Sequence, residues 1–464
     1  MSEGRPGRPE VERIPRINRL LYASGSVGGN AIGRSKDLWL LYFYAPPEDA
    51  DIERRATTLM VGAVLFSIRF LEAFDDPLIG YWSDRTRSRW GRRIPFVVAA
   101  TPVLSLMFVL IWLPPSGHES TSNAIYLFFV LALFHLFSTL SGGPFESLLP
   151  EIARNNEDRL SIVSWQVAFG VAGAALALVG SGFIIDVFGF QVMALVMAAI
   201  ALASRFVALG GAWRPAVEAA RAPAAPPPSG SFRESIMTCM RNDQFMLFLP
   251  TYIFYNMGVL MVTGIIPFLV KEVLEYENEG TVTAMINAVA LGVLVLALPL
   301  IVNLARRRGK RRMYSAGMLY ASVYFPLLFF VGFVPGVPGL VQVLVFAAFL
   351  GLPLAPVQAF PNALIADITD YDTLRTGERR EGTYYATQAM FEKTASSLAP
   401  LLLAVLLTIG STTEDPLGIR LVGPVAGLST FIGYLAFRGY WLPDDVTEES
   451  VRLARAARAP GRER

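Results

Sequence analysis

The strongest constraint on this chain is the recurrence of apolar stretches about as long as a bilayer is thick. Hydrocarbon holds no water to satisfy peptide N–H and C=O groups, so a spanning backbone must close its own hydrogen bonds. A helix that does so needs about 20 predominantly apolar residues to cross. Twelve such stretches are found, at roughly residues 20–45, 56–82, 94–113, 122–149, 161–184, 190–212, 244–270, 281–304, 313–334, 337–365, 383–411 and 417–440. Composition agrees: 53% of the 464 residues are hydrophobic and 17% are charged, against roughly 25% charged in soluble domains. The expectation is an all-α membrane protein with twelve transmembrane helices.

The connections set the orientation. Arg5, Arg8, Arg13, Arg16 and Arg19 precede the first stretch, and Arg85, Arg87, Arg89, Arg92 and Arg93 follow the second. Arg306, Arg307, Arg308, Lys310, Arg311 and Arg312 follow the eighth, and Arg375, Arg379 and Arg380 the tenth. The alternate loops are acidic or nearly neutral, as with Glu272, Glu275, Glu277 and Glu279 after the seventh. Lys and Arg concentrate on the cytoplasmic side, so both termini are expected there, which suits an even number of spans.

A Pro- and Ala-rich run, Arg221-Ala-Pro-Ala-Ala-Pro-Pro-Pro-Ser, marks a linker with little structure of its own. The expected division is a cytoplasmic tail over 1–19, a six-helix half over 20–212, a linker over 213–243, a second six-helix half over 244–440 and a cytoplasmic tail over 441–464. The basic run 87–93 after helix two echoes 306–312 after helix eight. Two parallel six-span halves around a midplane site describe the major facilitator arrangement.

Several chemistries are excluded or disfavoured. Cys239 is the sole cysteine, so no intramolecular disulfide or cysteine-based metal site is expected, and His118 and His135 are the only histidines. No nucleotide loop, metal-ligand set or catalytic triad is found, so enzymatic work, a cofactor and nucleic-acid binding are not expected. The N-terminal residues lack the short apolar core of a secretory signal.

The second stretch carries the charge that demands explanation: Arg69, Glu72, Asp75 and Asp76 share one helical face. Each carboxylate in hydrocarbon costs about 2.5–3.5 kcal/mol even on lenient insertion scales. Such a cluster is expected to face a protein-lined cavity and bind a cation. Hard oxygen ligands suit Na+ or Li+, and neighbouring carboxylates that share protons make H+ an alternative. The bland alternative is an internal ion-pair network with no bound ion.

The run Glu72-Ala-Phe-Asp-Asp-Pro-Leu-Ile-Gly80 with Ser83-Asp-Arg-Thr-Arg-Ser-Arg-Trp-Gly-Arg-Arg-Ile-Pro-Phe96 resembles the glycoside–pentoside–hexuronide:cation symporter family, typified by melibiose permease. Gly143-Pro-Phe-Glu-Ser-Leu-Leu-Pro150, Asp367-Ile-Thr-Asp-Tyr-Asp372 and Gly377-Glu-Arg-Arg-Glu-Gly382 followed by Lys393 also fit it, in order along the whole chain. The resemblance implies a major facilitator fold and a Na+, Li+ or H+ site at Glu72, Asp75, Asp76 and Thr139. It assigns coupling roles to Arg69 and Lys393. Asp75 stands where asparagine is common in melibiose permease, which leaves ion selectivity open. The sugar-contacting acids depart further: Asn30 and Gly142 stand where that permease has aspartates, and its helix-five arginine aligns with Gln166 (or Trp165 with a one-residue slip).

Other expected roles follow from residue type and placement. Tyr22, Asn30, Trp165, Gln166, Tyr255, Asn256, Gln358 and Gln388 are candidates to contact substrate, aromatic faces and amides being suited to a sugar and equally to an amphiphile. Asp84, Arg87 and Arg93, with Asp370, Arg379 and Arg380 in the second half, are candidate gating residues, against a purely topogenic role for the arginines. The expected protein is a multi-pass cell-membrane transporter, sufficient as a monomer, that couples entry of Na+ or H+ to symport of a small solute, a sugar or glycoside. The alternatives are a lysolipid-like or zwitterionic cargo on the same fold, or a non-transporting membrane receptor.

Overall fold

A computed structural model describes residues 14–47, 50, 52–68, 72, 79, 86, 88–91, 93–153, 156–220, 232–377, 381–444 and 446–456. Among these residues the regular structure is helical and includes no strand. Among the described residues, nine helical segments are long and apolar enough to cross a membrane. The helices are α1 (Arg16–Tyr44), α2 (Thr58–Ile68), α3 (Ile94–Ile111), α4 (Thr121–Ser147), α5 (Leu149–Ile152), α6 (Asn156–Ala175) and α7 (Ser181–Ala220). They continue as α8 (Phe232–Met240), α9 (Asp243–Phe268), α10 (Glu279–Arg308), α11 (Lys310–Tyr324), α12 (Gly339–Ala359) and α13 (Pro361–Thr376). The last are α14 (Glu381–Ser396), α15 (Leu398–Leu407), α16 (Leu417–Phe437) and α17 (Glu448–Ala456). They belong to two compact units.

The first unit comprises Met1–Lys36, Phe74–Pro115 and Ile125–Pro226. Lipid does not drive helices together hydrophobically, so close backbone approach between small residues does much of the work. Of the four α1 glycines, Gly25 and Gly28 serve that purpose. A Cβ on Gly25 would meet Phe145 and Ala208, and one on Gly28 would strike Ala201 and Ser204 of α7. Gly29 and Gly33 face open space or the distant end of Arg205. Asp158 of α6 anchors the start of α1, accepting from the Ile14 N–H at 3.0 Å and pairing with Arg19 at 3.1 Å.

The helical run of α7 is broken at Gly189, where φ is +82° and ψ is 173°. That conformation is open to glycine and costly for a residue with a Cβ. Trp112 stacks on Phe190 beside the break, with ring centroids 5.7 Å apart. Beyond residue 212, where the sixth expected span ends, the helix continues to Ala220. It does so because Ala212 and Ala216 are buried in a cluster with Tyr22, Ile94 and Phe145, against which Trp213 and Val217 also pack. Helix therefore enters the segment read from composition as a linker, and α8 forms within it as well.

The second unit comprises Asp37–Ala73, Ser116–Ala124 and Pro227–Arg464. The C-terminal end of α1, residues 37–44, belongs here. Asn242 starts α9 by accepting from the Gln244 and Phe245 N–H groups at 3.0 and 3.3 Å, which satisfies donors that a helix start leaves open. Its amide nitrogen donates to the Tyr384 hydroxyl at 2.9 Å, tying α9 to α14. Along α9 and α16, Ser429 donates to Phe254 O at 2.7 Å and Thr251 to Gly433 O at 3.1 Å.

One side chain organises the loops of this unit. Asn123 is fully buried, accepts from the Ser116 N–H at 3.0 Å, and turns its amide nitrogen toward Arg55 O, Ser116 O and His118 O. Arg55 reaches Phe43 O at 2.6 Å and lies over the Phe43 ring. Burial lowers its pKa from the usual guanidinium value, against the opposing influence of Tyr44 and Glu53.

Candidate functional site

Within the second unit, Lys393 Nζ of α14 stands 3.6 Å from Glu72 Oε1. The Glu72 side chain is one-tenth exposed and that of Lys393 one-quarter. Both belong to the sequence-derived cation site and its coupling pair. The separation exceeds the roughly 2.7–2.9 Å of a short charge-assisted hydrogen bond. An ammonium held at this distance stabilises the carboxylate in apolar surroundings. Gln388, buried, lies on α14 five residues before Lys393. Arg69, Asp75 and Asp76 lie outside the described residues, as do Asp84, Arg87, Arg379 and Arg380.

The other candidates in this unit are placed as follows. Tyr255 is 2% exposed, and its hydroxyl approaches Pro353 O at 3.4 Å. The Asn256 amide is bonded back to Tyr252 O of its own helix at 2.9 Å. Gln358 is exposed near the end of α12, and Asp370 is exposed on α13.

At the Glu279 end of α10, Tyr42 donates to Glu279 Oε1 at 3.1 Å and meets the Phe268 ring edge-on at 5.2 Å. Trp39 and Tyr42 are both fully buried. The C-terminal end of α1 is thereby fastened to α9 and α10. At the Arg308 end of α10, the Lys310 ammonium pairs with Asp367 Oδ1 at 2.6 Å, and the Lys310 N–H donates to Asp444 Oδ1 at 2.9 Å. Asp372 pairs with Arg375 at 3.1 Å. A 30-residue helix separates these two ends by about 45 Å, enough to cross a bilayer.

Within the first unit, Tyr22 is fully buried, stacks on Phe145 and donates to Phe145 O at 2.6 Å. Asn30 donates to Ser26 O at 2.9 Å and lies against Gly170 of α6. Trp165 is 46% exposed on α6, and Gln166 beside it is half-buried. Thr139 is buried on α4, one turn after buried His135. Arg93 immediately precedes α3 and is half-buried.

Sequence reasoning missed Arg205. It sits in the apolar body of α7 with its guanidinium 4.2 Å from the Phe145 ring centroid, under the electrostatic influence of Glu146 and Tyr22. A lone arginine within an apolar run was a legible signal, because ionisable residues at membrane depth mark functional positions. The partnerships Lys310–Asp367 and Tyr42–Glu279 left no such signal, since each joins helices distant in sequence.

Long apolar helices, small-residue packing and an ion pair within apolar surroundings are those of a polytopic membrane protein. Residues 21–450 match the family described as MFS/sugar transport protein, and the chain belongs to that family. An uncharacterized symporter of Synechocystis sp. is 24% identical over 86% of each chain. The isoprimeverose transporter of Lactiplantibacillus pentosus is 23% identical over 86% of this chain and 81% of its own. The crystal structure of the nucleoside transporter NupG superposes with a TM-score of 0.63 at 12% identity, covering 92% of this chain and 99% of that one. The protein is a secondary transporter of the cell membrane, and its relatives and fold are those of transporters and not enzymes.

Proposed function

We propose that this transporter couples inward movement of Na+ or H+ to symport of a sugar or glycoside. The observation that carries the coupling is the Glu72–Lys393 ion pair. A cation arriving at Glu72, with Asp75, Asp76 and Thr139 as further ligands, competes with the Lys393 ammonium for the same carboxylate. Occupancy then changes how strongly α14 is held to Glu72, and Arg69 balances the remaining charge. Binding can shift the equilibrium between open states by this differential interaction. The match to sugar transport proteins and the relative named as an isoprimeverose transporter support the cargo.

The twelve-span arrangement with both termini cytoplasmic belongs to the same reading. Nine apolar segments, the break at Gly189 within the longest, the helix α1 and the apolar helix α2 support that count. The favoured mechanism is alternating access, in which the two six-helix halves rock about a midplane site. The Tyr42–Glu279 contact serves as one gate, and the Lys310–Asp367 end as the other. Among sugar cargoes, Arg205 favours a uronide, whose carboxylate would meet a guanidinium inside an apolar helix.

The test is uptake into proteoliposomes with Na+ and pH varied independently, using neutral and acidic forms of each sugar. Uptake driven by one cation, and its loss in Asp76→Ala, is expected. Undiminished cation-stimulated uptake in that variant sinks the cation site. Stabilisation by a lysolipid with no sugar response transfers the cargo to the amphiphile alternative.

A further inference from the structure

The basic end of the second unit holds a cavity beside the Lys310–Asp367 pair. It measures about 1250 Å³ and lies among the end of α10, the start of α11, the α12–α13 junction, Tyr434 of α16, the segment Trp441–Asp444 and Ala454 of α17. Its rim carries Arg306, Arg307, Arg308, Lys310, Arg311 and Arg312, with Asp444 as the acid that lines it. Asp444 is already engaged, accepting from the Lys310 N–H, and the Lys310 ammonium is engaged by Asp367. Among the described residues, no carboxylate pairs with Arg306, Arg307, Arg308 or Arg312. Helix-end charge and membrane topology account for basic residues near the end of α10. They do not account for a cavity of this size behind those residues.

The cavity is two-faced. Besides the arginines its lining is apolar and aromatic, including Leu319, Phe360 and Trp441. Ala316 and Leu319 line it from α11. Tyr320 and Val323 continue that helix face, four and seven residues beyond Ala316, and are 37% and 66% exposed. An exposed apolar lane thus leaves the cavity along α11, away from the charged rim. A small soluble anion would use the arginines and leave this lane bare. A phospholipid uses both.

We propose that this cavity binds the head group of an anionic phospholipid, a phosphodiester without a compensating amine, with an acyl chain laid along α11. Basic pockets between membrane helices are suited to such head groups. The proposal requires only that the chain spans a membrane and is independent of the cargo and the coupling ion. Bound there, the lipid bridges the α10–α11 turn and the Trp441–Asp444 segment, linking the last spanning helix to the middle of the unit.

The test uses delipidated full-length protein in detergent with phosphatidylglycerol, phosphatidylcholine or inorganic phosphate, retained ligand being counted by native mass spectrometry. Phosphatidylglycerol is expected to be retained over phosphatidylcholine, by about fivefold for each arginine that contributes. Joint replacement Arg306→Gln, Arg307→Gln, Arg308→Gln and Arg312→Gln is expected to remove the preference. Because that change also removes topogenic charge, Ala316→Trp is the second variant: it keeps every charge, fills the lane and is expected to lower retention. Equal retention of both lipids, displacement by inorganic phosphate at matched concentration, or unchanged phosphatidylglycerol retention in Ala316→Trp overturns the proposal.

Discussion

At the scale of single residues, the protein depends on polar groups placed where hydrocarbon makes their partners decisive. The Lys393 ammonium is the charge against which a coupling cation must compete at Glu72. Lys393→Met is therefore expected to lower the half-saturating cation concentration by about fivefold, the worth of a partly screened pair near 1 kcal/mol, as measured by cation titration of uptake. An unchanged titration would detach Lys393 from coupling. Asn123 acts on stability instead. Its side chain serves four backbone groups in a fully buried position, so Asn123→Ala orphans several of them. The expected loss is about 1–3 kcal/mol for each buried group left unsatisfied, read as a lowered melting temperature in detergent. Glu72 was legible in the chain because a carboxylate in an apolar run is an anomaly. Tyr42–Glu279 was not legible, because nothing local to Tyr42 specifies a partner 237 residues away.

At the scale of elements, glycine decides how closely the helices of the first unit meet. The composition of α1 predicts close packing at Gly25, Gly28, Gly29 and Gly33 alike, yet the structure uses only the first two. Spacing along one helix identifies the small residues, but the angle of the neighbouring helix selects which of them it crosses. Gly28→Val is expected to cost about 3 kcal/mol or more, since its side chain would strike the Ala201 backbone and overpacking of this kind is poorly relieved. Gly33→Val, with open space around it, is expected to leave expression and melting unchanged. Comparable losses at both positions would refute the assignment. The helices within the expected linker show the opposite case. The Pro- and Ala-rich run 221–229 that reads as coil lies outside the described residues, while ahead of it burial of Ala212 and Ala216 sustains α7 to Ala220.

At the scale of the molecule, the ends of α10 carry opposite charge: Glu279 at its start and Arg306, Arg307 and Arg308 in its last turn. The orientation proposed from this is checked in a Cys239→Ser background with single probes Glu277→Cys and Glu448→Cys. An impermeant maleimide added to intact cells is expected to label the first and spare the second. The reverse pattern would invert the topology. The sequence by itself determined that the chain must be a bundle of membrane-spanning helices with its charge anomaly at Glu72, because hydrophobic length and the cost of charge in lipid are properties of short segments. Only the tertiary structure decided what Tyr42, Lys310 and Arg205 meet, and that an aromatic-walled cavity adjoins the Arg306–Arg312 turn. Those outcomes depend on contacts between helices that lie far apart along the chain, and no local pattern of residues encodes them.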